Sequence, residues 1–136
     1  MKPRRASPEH QLQVAVAQYL THALRPPVLW TALDAGAGKM SKASAGLRKA
    51  RGVKAGWPDL LIMEPAGLYR TLVLGIELKA KKGTLSEAQF DRAEDFLGCN
   101  ATYHVARSVD EVETILRLNG IPLHATVSAL GERRAA

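Results

Sequence analysis

The sequence predicts a single α/β domain with a mixed central β-sheet and helices on both of its faces. The chain has 136 residues, which is enough for one hydrophobic core and too few for two. Its hydrophobic content of 46% and charged content of 24% are ordinary for a globular protein. Short apolar runs of strand length alternate with segments of helical periodicity, an order typical of α/β layers. No apolar run approaches the ~20 residues needed to cross a bilayer, so we expect no membrane association.

A helix is predicted first. Ser7 is a suitable N-cap and Pro8 suits the first helical position, so the helix should begin there and run to about Leu24. Apolar side chains recur along it at helical spacing, and Glu9 lies one turn before them on the same stripe. A short apolar strand follows over residues 28–33.

The middle of the chain supplies two more strands. Residues 34–54 are glycine-rich and basic, with a short predicted helix that Gly52 should end. A second strand is predicted over residues 59–63, with a turn over residues 64–67. Residues 72–80 form the central strand, an apolar run typical of burial on both faces.

The last third predicts a helix, a strand and a helix. Ser86 and Gln89 have the spacing of a capping box, and the helix they open should turn Phe90, Ala93, Phe96 and Leu97 inward. A fourth strand is predicted over residues 101–106. A second capping box, from Ser108 to Glu111, should open a helix that ends near Asn119-Gly120.

Charged residues in two of these strands indicate chemistry. Gly56-Trp57-Pro58-Asp59 places a carboxylate at the start of the second strand, and Glu77-Leu78-Lys79 places a second one, with an amine, in the third. Because side chains alternate along a strand, Glu77 and Lys79 must project to the same face. Buried charges of this kind destabilise a fold unless a metal or substrate compensates them. We therefore read them as a site and not as two surface acids.

These motifs resemble those of the PD-(D/E)XK nucleases, and within them the virus-type replication-repair nuclease (VRR-NUC) domain. The resemblance covers most of the chain, from about Glu9 to about Leu118. It rests on four pieces in order: Glu9 on an early helix, Gly56-x-Pro58-Asp59, Glu77-x-Lys79, and Gly83 with Ser86-x-x-Gln89. It implies one VRR-NUC-type nuclease domain over residues 1–130 with a restriction-endonuclease-like core. We expect residues 131–136 to be a disordered tail.

Phosphodiester hydrolysis explains why this chemistry needs these residue types. Mg²⁺ (or Mn²⁺) takes oxygen ligands, for which Asp59, Glu77 and the backbone carbonyl of Leu78 are the candidates. Lys79 could orient or activate the attacking water, or it could be only an ion-pair partner of Glu77.

Glu9 and Gln89 have two interpretations each. An acid in a first helical turn complements the helix dipole, yet Glu9 also matches the glutamate of the VRR-NUC pattern and is a candidate metal ligand. Gln89 has a sufficient structural reason as a capping residue, and it also matches the family's glutamine after the Glu-x-Lys strand. The resemblance makes both of them candidate catalytic residues.

The charge distribution favours a nucleic-acid partner. The net charge is +6, and the segment between Gly36 and Trp57 contains six basic residues and no acidic one. Such a patch suits a phosphate backbone, although it could also be a solvated helix face. The candidate DNA-binding residues are Lys39, Lys42, Arg48, Lys49, Arg51 and Lys54.

The expected function is therefore a Mg²⁺-dependent endonuclease acting on DNA. Small members of the resembled family are similar to Holliday-junction resolvases and act as homodimers, and few aromatic residues are present to stack on single strands. Branched or duplex DNA is the expected substrate. The alternatives are a flap or restriction-like nuclease and a non-catalytic DNA-binding module. A single cysteine, Cys99, fits a reducing compartment, so we expect an intracellular, cytoplasmic protein of either viral or cellular source.

Two other chemistries are disfavoured. The segment Gly36-Ala37-Gly38-Lys39-Met40 lacks both the earlier glycine and the Ser/Thr of a phosphate-binding loop. The four histidines are scattered without paired metal-ligand spacing, which argues against a zinc site.

Overall fold

The structure is a computed structural model that describes residues 5–33 and 41–128. These residues form four helices and four strands in the predicted order: α1 (Pro8–Ala23), β1 (Leu29–Ala32), α2 (Lys42–Ala50), β2 (Leu60–Pro65), β3 (Thr71–Leu78), α3 (Glu87–Gly98), β4 (Thr102–Ala106) and α4 (Val109–Leu118).

The strands form one mixed sheet in the order β1-β2-β3-β4. The pairs β1–β2 and β2–β3 are antiparallel, whereas β3 and β4 run parallel. Leu60 lies opposite Ile76, and Leu78 lies opposite Ala106. The beginning of β2 and the ends of β3 and β4 therefore meet at one edge of the sheet, which we call the site edge.

Helices α1 and α4 cover one face of the sheet and enclose the main core. Leu74, Ile76 and Leu78 point to this face and pack in one cluster with Leu20 of α1 and Leu116 of α4. All five side chains are at most 2% exposed. The apolar residues after α4, Ile121 among them, close the same core.

Helix α3 covers the opposite face. Gly75 points toward it, and a Cβ added there would lie 2.7 Å from Pro58 Cγ and 2.8 Å from Phe96 Cε2. Phe96 makes edge-to-face contacts with Trp57 and Tyr103, with ring centroids 5.3 and 5.5 Å apart. The two-faced arrangement predicted from the sequence is confirmed.

Serine caps set the starts of the helices. The hydroxyls of Ser7, Ser41, Ser86 and Ser108 each accept a hydrogen bond from the backbone N–H three residues on. At Ser86 the box is reciprocal, because its own N–H donates to Gln89 Oε1. The predicted reciprocal box at Ser108 is wrong.

At that second cap, the Glu111 carboxylate accepts from the N–H of Arg107 and not from that of Ser108. The strand bounds also differ from those predicted. β3 ends at Leu78 and not at residue 80, and β2 continues to Pro65, so the turn after it comes later than predicted.

Two side chains of α3 contradict the predicted burial. Phe90 and Leu97 of α3 are 59% and 67% exposed, because Gln89 and Phe96 occupy the face that packs on the sheet. Leu47 of α2 is 67% exposed, and no described residue of that helix is buried. As predicted, α2 ends before Gly52, which has a φ of +91°.

Two predictions, Lys39 as a DNA-binding residue and the tail at 131–136, lie outside the described residues. Among the helices of the described ranges, none has the length and apolar character needed to cross a membrane.

Candidate active site

Asp59 is held at the site edge by the loop that precedes β2. Gly56 has a φ of +82°, and a Cβ there would lie 2.1 Å from the Ala88 carbonyl oxygen, so only glycine fits against α3. Pro58 is fully buried against Gly75. Asp59 Oδ2 then accepts a 2.7 Å hydrogen bond from the N–H of Leu78. The Gly-x-Pro-Asp motif thus anchors its carboxylate to β3.

Glu77 and Lys79 project from the end of β3 on the α3 face, as alternation along the strand predicts. Lys79 Nζ lies 3.5 Å from Glu77 Oε1. Glu77 is only 5% exposed, and among the described residues it is the one charged residue that is buried.

The two carboxylates act on each other. Burial raises the pKa of Asp59, and the neighbouring Lys79 and the Leu78 N–H partly oppose that rise. Burial, with the charge of Asp59, raises the pKa of Glu77 to about 7, while Lys79 lowers it. An acid pair this costly to ionise favours a proton or a cation beside it.

Glu9 reaches the same edge from the first turn of α1. Its Oε1 accepts a 3.3 Å hydrogen bond from the N–H of Ala80, and its charge contributes to the raised pKa of Asp59. Glu9 itself is exposed. The structure therefore places it beside the acid pair and more open to solvent than either member.

Gln89 joins the helix cap to the site. Its Oε1 accepts from the N–H of Ser86 at 2.9 Å, and its Nε2 donates to Glu77 Oε1 at 2.7 Å. The first bond fixes which end of the amide faces Glu77. One side chain therefore both caps α3 and contacts Glu77.

The basic residues before Asp59 remain on the surface. Lys42, Lys49, Arg51 and Lys54 are exposed, and Arg48 is half-buried. They belong to α2 and to the segment that leads into the Asp59 loop.

Three residues near the site were missed by sequence reasoning. Arg107 donates through Nη1 to the carbonyls of Ala80 and Gly83, at 2.8 and 2.6 Å. Arg92 donates to the Ala55 carbonyl and lies over the Trp57 ring at 5.5 Å. No local pattern could have found these two, because each contacts carbonyls distant in sequence.

Tyr103 is the third missed residue. Its hydroxyl donates to the Gly56 carbonyl at 3.3 Å, and its pKa is raised by burial and by the charges of Glu77 and Asp59. No local pattern could have found it, because the β3–β4 register that places it opposite Gly75 is set by the fold.

A hard divalent cation fits this donor set. Asp59, Glu77 and the carbonyl of Leu78 offer oxygen atoms, which Mg²⁺ and Mn²⁺ accept. Within residues 5–33 and 41–128, no three acidic, histidine or cysteine side chains converge on one possible metal position. Mg²⁺ commonly uses one or two carboxylates, with water and phosphate completing its shell, so a pair is sufficient.

The profile of the VRR-NUC domain family matches residues 8–110, most of the chain and all of the residues just described. The chain belongs to the VRR-NUC family. It is thus a member of a nuclease family, and both the family and the fold class expected from its motifs are confirmed.

Solved structures agree on the fold. One described as a VRR_NUC domain protein superimposes with a TM-score of 0.60 at 24% identity, covering 85% of this chain and 89% of that one. Another, described as a VRR_NUC domain, gives 0.51 at 20% identity, covering 82% and 97%. No curated protein matches the chain significantly.

Proposed function

We propose that this VRR-NUC protein is a divalent-metal-dependent endonuclease that hydrolyses phosphodiester bonds in DNA. The observation that carries the proposal is the buried pair Asp59 and Glu77, with raised pKa values, beside the amine of Lys79. By the resemblance of the motifs, this pair corresponds to the acidic residues of the family's pattern. Membership of a nuclease family supplies the reaction class.

Asp59, Glu77 and the Leu78 carbonyl are the proposed ligands for Mg²⁺ (or Mn²⁺). When bound, such an ion supplies positive charge to the phosphate oxygens and lowers the pKa of water. Gln89 keeps one oxygen of Glu77 oriented, and the Leu78 N–H does the same for Asp59. These contacts hold the ligands in place before substrate arrives.

The proposed role of Lys79 is to position the attacking water. The water oxygen forms the new bond to phosphorus, and the bond from phosphorus to the leaving oxygen breaks. The proton that the water loses passes to solvent, and the leaving oxygen takes up a proton from solvent. The ammonium of Lys79, 3.5 Å from Glu77, orients the water and offsets the charge that develops on the phosphate. Glu9, which is exposed beside the acid pair, is proposed as an additional ligand of the metal.

Duplex or branched DNA is the proposed substrate. Phosphate contacts would come from Lys42, Arg48, Lys49, Arg51 and Lys54 before the Asp59 loop, and from Lys39. A four-way junction needs two symmetric cuts, which a C₂ homodimer supplies. A Holliday-junction resolvase is therefore the proposed specificity.

A cleavage assay on a four-way junction tests the proposal, with wild type, Asp59→Asn and Lys79→Ala, each with Mg²⁺ and with EDTA. Removing a positioned catalytic group should lower the cleavage rate by ~100-fold or more while DNA binding persists. Glu94→Gln, which removes an exposed acid of α3, is the matched control and should cleave as wild type does.

The outcomes separate the alternatives. Cleavage of linear duplex as fast as of the junction would rule out the resolvase assignment but keep the nuclease. Preferential cutting of flaps would assign another structure specificity. Binding without cleavage under Mg²⁺ or Mn²⁺ would leave only a DNA-binding module.

The metal site has a test independent of cleavage. Mg²⁺ or Mn²⁺ should raise the thermal midpoint of wild type, because a ligand that binds only the folded state stabilises it. Asp59→Asn and Glu77→Gln should lose most of that increase. An equal increase in both variants would place the ion elsewhere.

A further inference from the structure

A tight turn follows β3 immediately beside the proposed active site. The N–H of Gly83 donates to the Ala80 carbonyl at 2.9 Å, which closes a four-residue β-turn. Lys81 and Lys82 are its two central residues, and both are exposed. Two positive charges thus project from the tip of a closed turn.

Arg107 holds this turn at its base. Its Nη1 donates to the carbonyls of Ala80 and Gly83, the first and last residues of the turn. The backbone N–H of Arg107 donates to Glu111 Oε2 at 2.6 Å, which ties the clasp to the first turn of α4. One half-buried guanidinium therefore fixes both ends of a surface turn.

The turn is also attached to the site. The N–H of Ala80 donates to Glu9 Oε1 at 3.3 Å. A Cβ built on Gly83 would lie 3.4 Å from Lys79 Cβ and 3.3 Å from Glu9 Oε1. The turn thus packs directly on the residues that flank the acid pair.

We propose that the turn over residues 80–83 is a phosphate-binding element, in which Lys81 and Lys82 hold the substrate backbone next to the cleaved bond and Arg107 is the positioning residue. The inference rests on the proposed DNA nuclease function. A mobile lysine pair would lose conformational entropy on binding, and a turn already fixed at both ends loses less.

Topology supports the assignment. The turn follows the end of β3, and the basic segment after α2 leads into the Asp59 loop at the start of β2. The connections that precede β2 and follow β3 are thus both basic. A DNA backbone that crosses Asp59 and Glu77 would meet the turn at residues 80–83.

The test measures DNA affinity against salt concentration in the Asp59→Asn background, where bound DNA should not be cut. K81Q/K82Q should lower the affinity about tenfold and reduce the slope of log K against log salt by about 1.8, since each phosphate contact contributes about 0.9. R25Q/R70Q removes the same charge from two exposed residues at the opposite end of the sheet. It should change the slope by less than half as much.

A double-mutant cycle tests whether Arg107 positions the turn. If Arg107 positions the turn, K81Q/K82Q should cost no more than ~3-fold in an Arg107→Gln background, because the lysines are then no longer held. Arg107→Lys keeps the charge and a donor for a carbonyl, so it should restore part of the lysine effect. Additive losses would show that Arg107 does not act through the turn.

The results distinguish this inference from the function on which it rests. If Asp59→Asn binds no DNA and wild type cuts none, the nuclease proposal itself is overturned. If wild type cuts DNA while K81Q/K82Q matches R25Q/R70Q in affinity and slope, only the phosphate-binding turn is overturned. The lysine pair is exposed, so this arm does not depend on the folding of Arg107 variants.

Discussion

Glu77 combines burial, a neighbouring acid and a neighbouring amine in one side chain. Its pKa is raised to about 7, so the metal-free site takes up a proton near neutral pH. The free-energy cost of ionising the buried Glu77 is local to the site, and a bound cation would offset it. A residue that destabilises its own fold is expected where function requires it.

The stability of the metal-free protein should depend on pH through Glu77. Its pKa is raised in the folded state from 4.5 to about 7, so the free energy of unfolding should fall as pH rises through this window and level off above it. Urea unfolding in EDTA at pH 5.5 and pH 8 measures the change, roughly 1–3 kcal/mol. Glu77→Gln should flatten this slope and exceed wild type in stability at pH 8.

Glu94→Gln is the control for that measurement, because it removes an exposed carboxylate and changes the net charge by the same amount as Glu77→Gln does. A slope flattened equally by both substitutions would assign the pH dependence to net charge and not to the buried acid.

Gln89 should matter to cleavage beyond its part in the helix cap. Gln89→Ala loses both the cap bond and the bond to Glu77, whereas Ser86→Ala loses only the cap hydroxyl. Both variants should lose about 1 kcal/mol of stability. Only Gln89→Ala should also cut more slowly, by ~10-fold or more, in a single-turnover assay with saturating metal. Equal rates in the two variants would reduce Gln89 to a capping residue.

At the scale of elements, helix starts follow from serine chemistry. Each of the four described helices begins after a serine whose hydroxyl replaces a missing backbone partner. Three of these starts, at Ser7, Ser86 and Ser108, were predicted for that reason. Facing was less predictable. In α3, Phe90 and Phe96 lie on different faces, and packing against Trp57 and Tyr103 selected the face with Phe96.

Two glycines should respond oppositely to alanine. Gly75→Ala would place a methyl group 2.7 Å from Pro58 and 2.8 Å from Phe96, so it should lower the free energy of unfolding by about 1–3 kcal/mol. Gly46, inside α2, has nothing within 4 Å, and Gly46→Ala should raise it by about 0.5–1 kcal/mol. Urea unfolding of both variants checks the pair. Similar losses at the two positions would contradict the packing of β3 against Pro58.

At the scale of the whole molecule, one end of the sheet collects the chemistry. β2 begins there, β3 and β4 end there, and the first turns of α1 and α3 face it. Residues as distant in sequence as Glu9 and Ala80 meet at this edge because α1 packs along the sheet on the core side.

The active particle is expected to be a homodimer. Light scattering after size-exclusion chromatography should give about twice the monomer mass of 14.7 kDa. A junction in a supercoiled plasmid should then be cut on both strands within one binding event. A monomer that cuts the two strands independently would contradict the symmetric arrangement.

Local sequence determined the elements, the alternation that puts Glu77 and Lys79 on one face, and the motif that identifies the family. Capping, period-two projection and glycine turns each act over a few residues, so they can be read without a fold. Only the tertiary structure decided that Arg107 closes the turn at residues 80–83, that Tyr103 and Arg92 hold the Asp59 loop, and that Phe90 faces solvent. Those contacts join carbonyls and rings far apart along the chain, and their partners are chosen by how the layers pack.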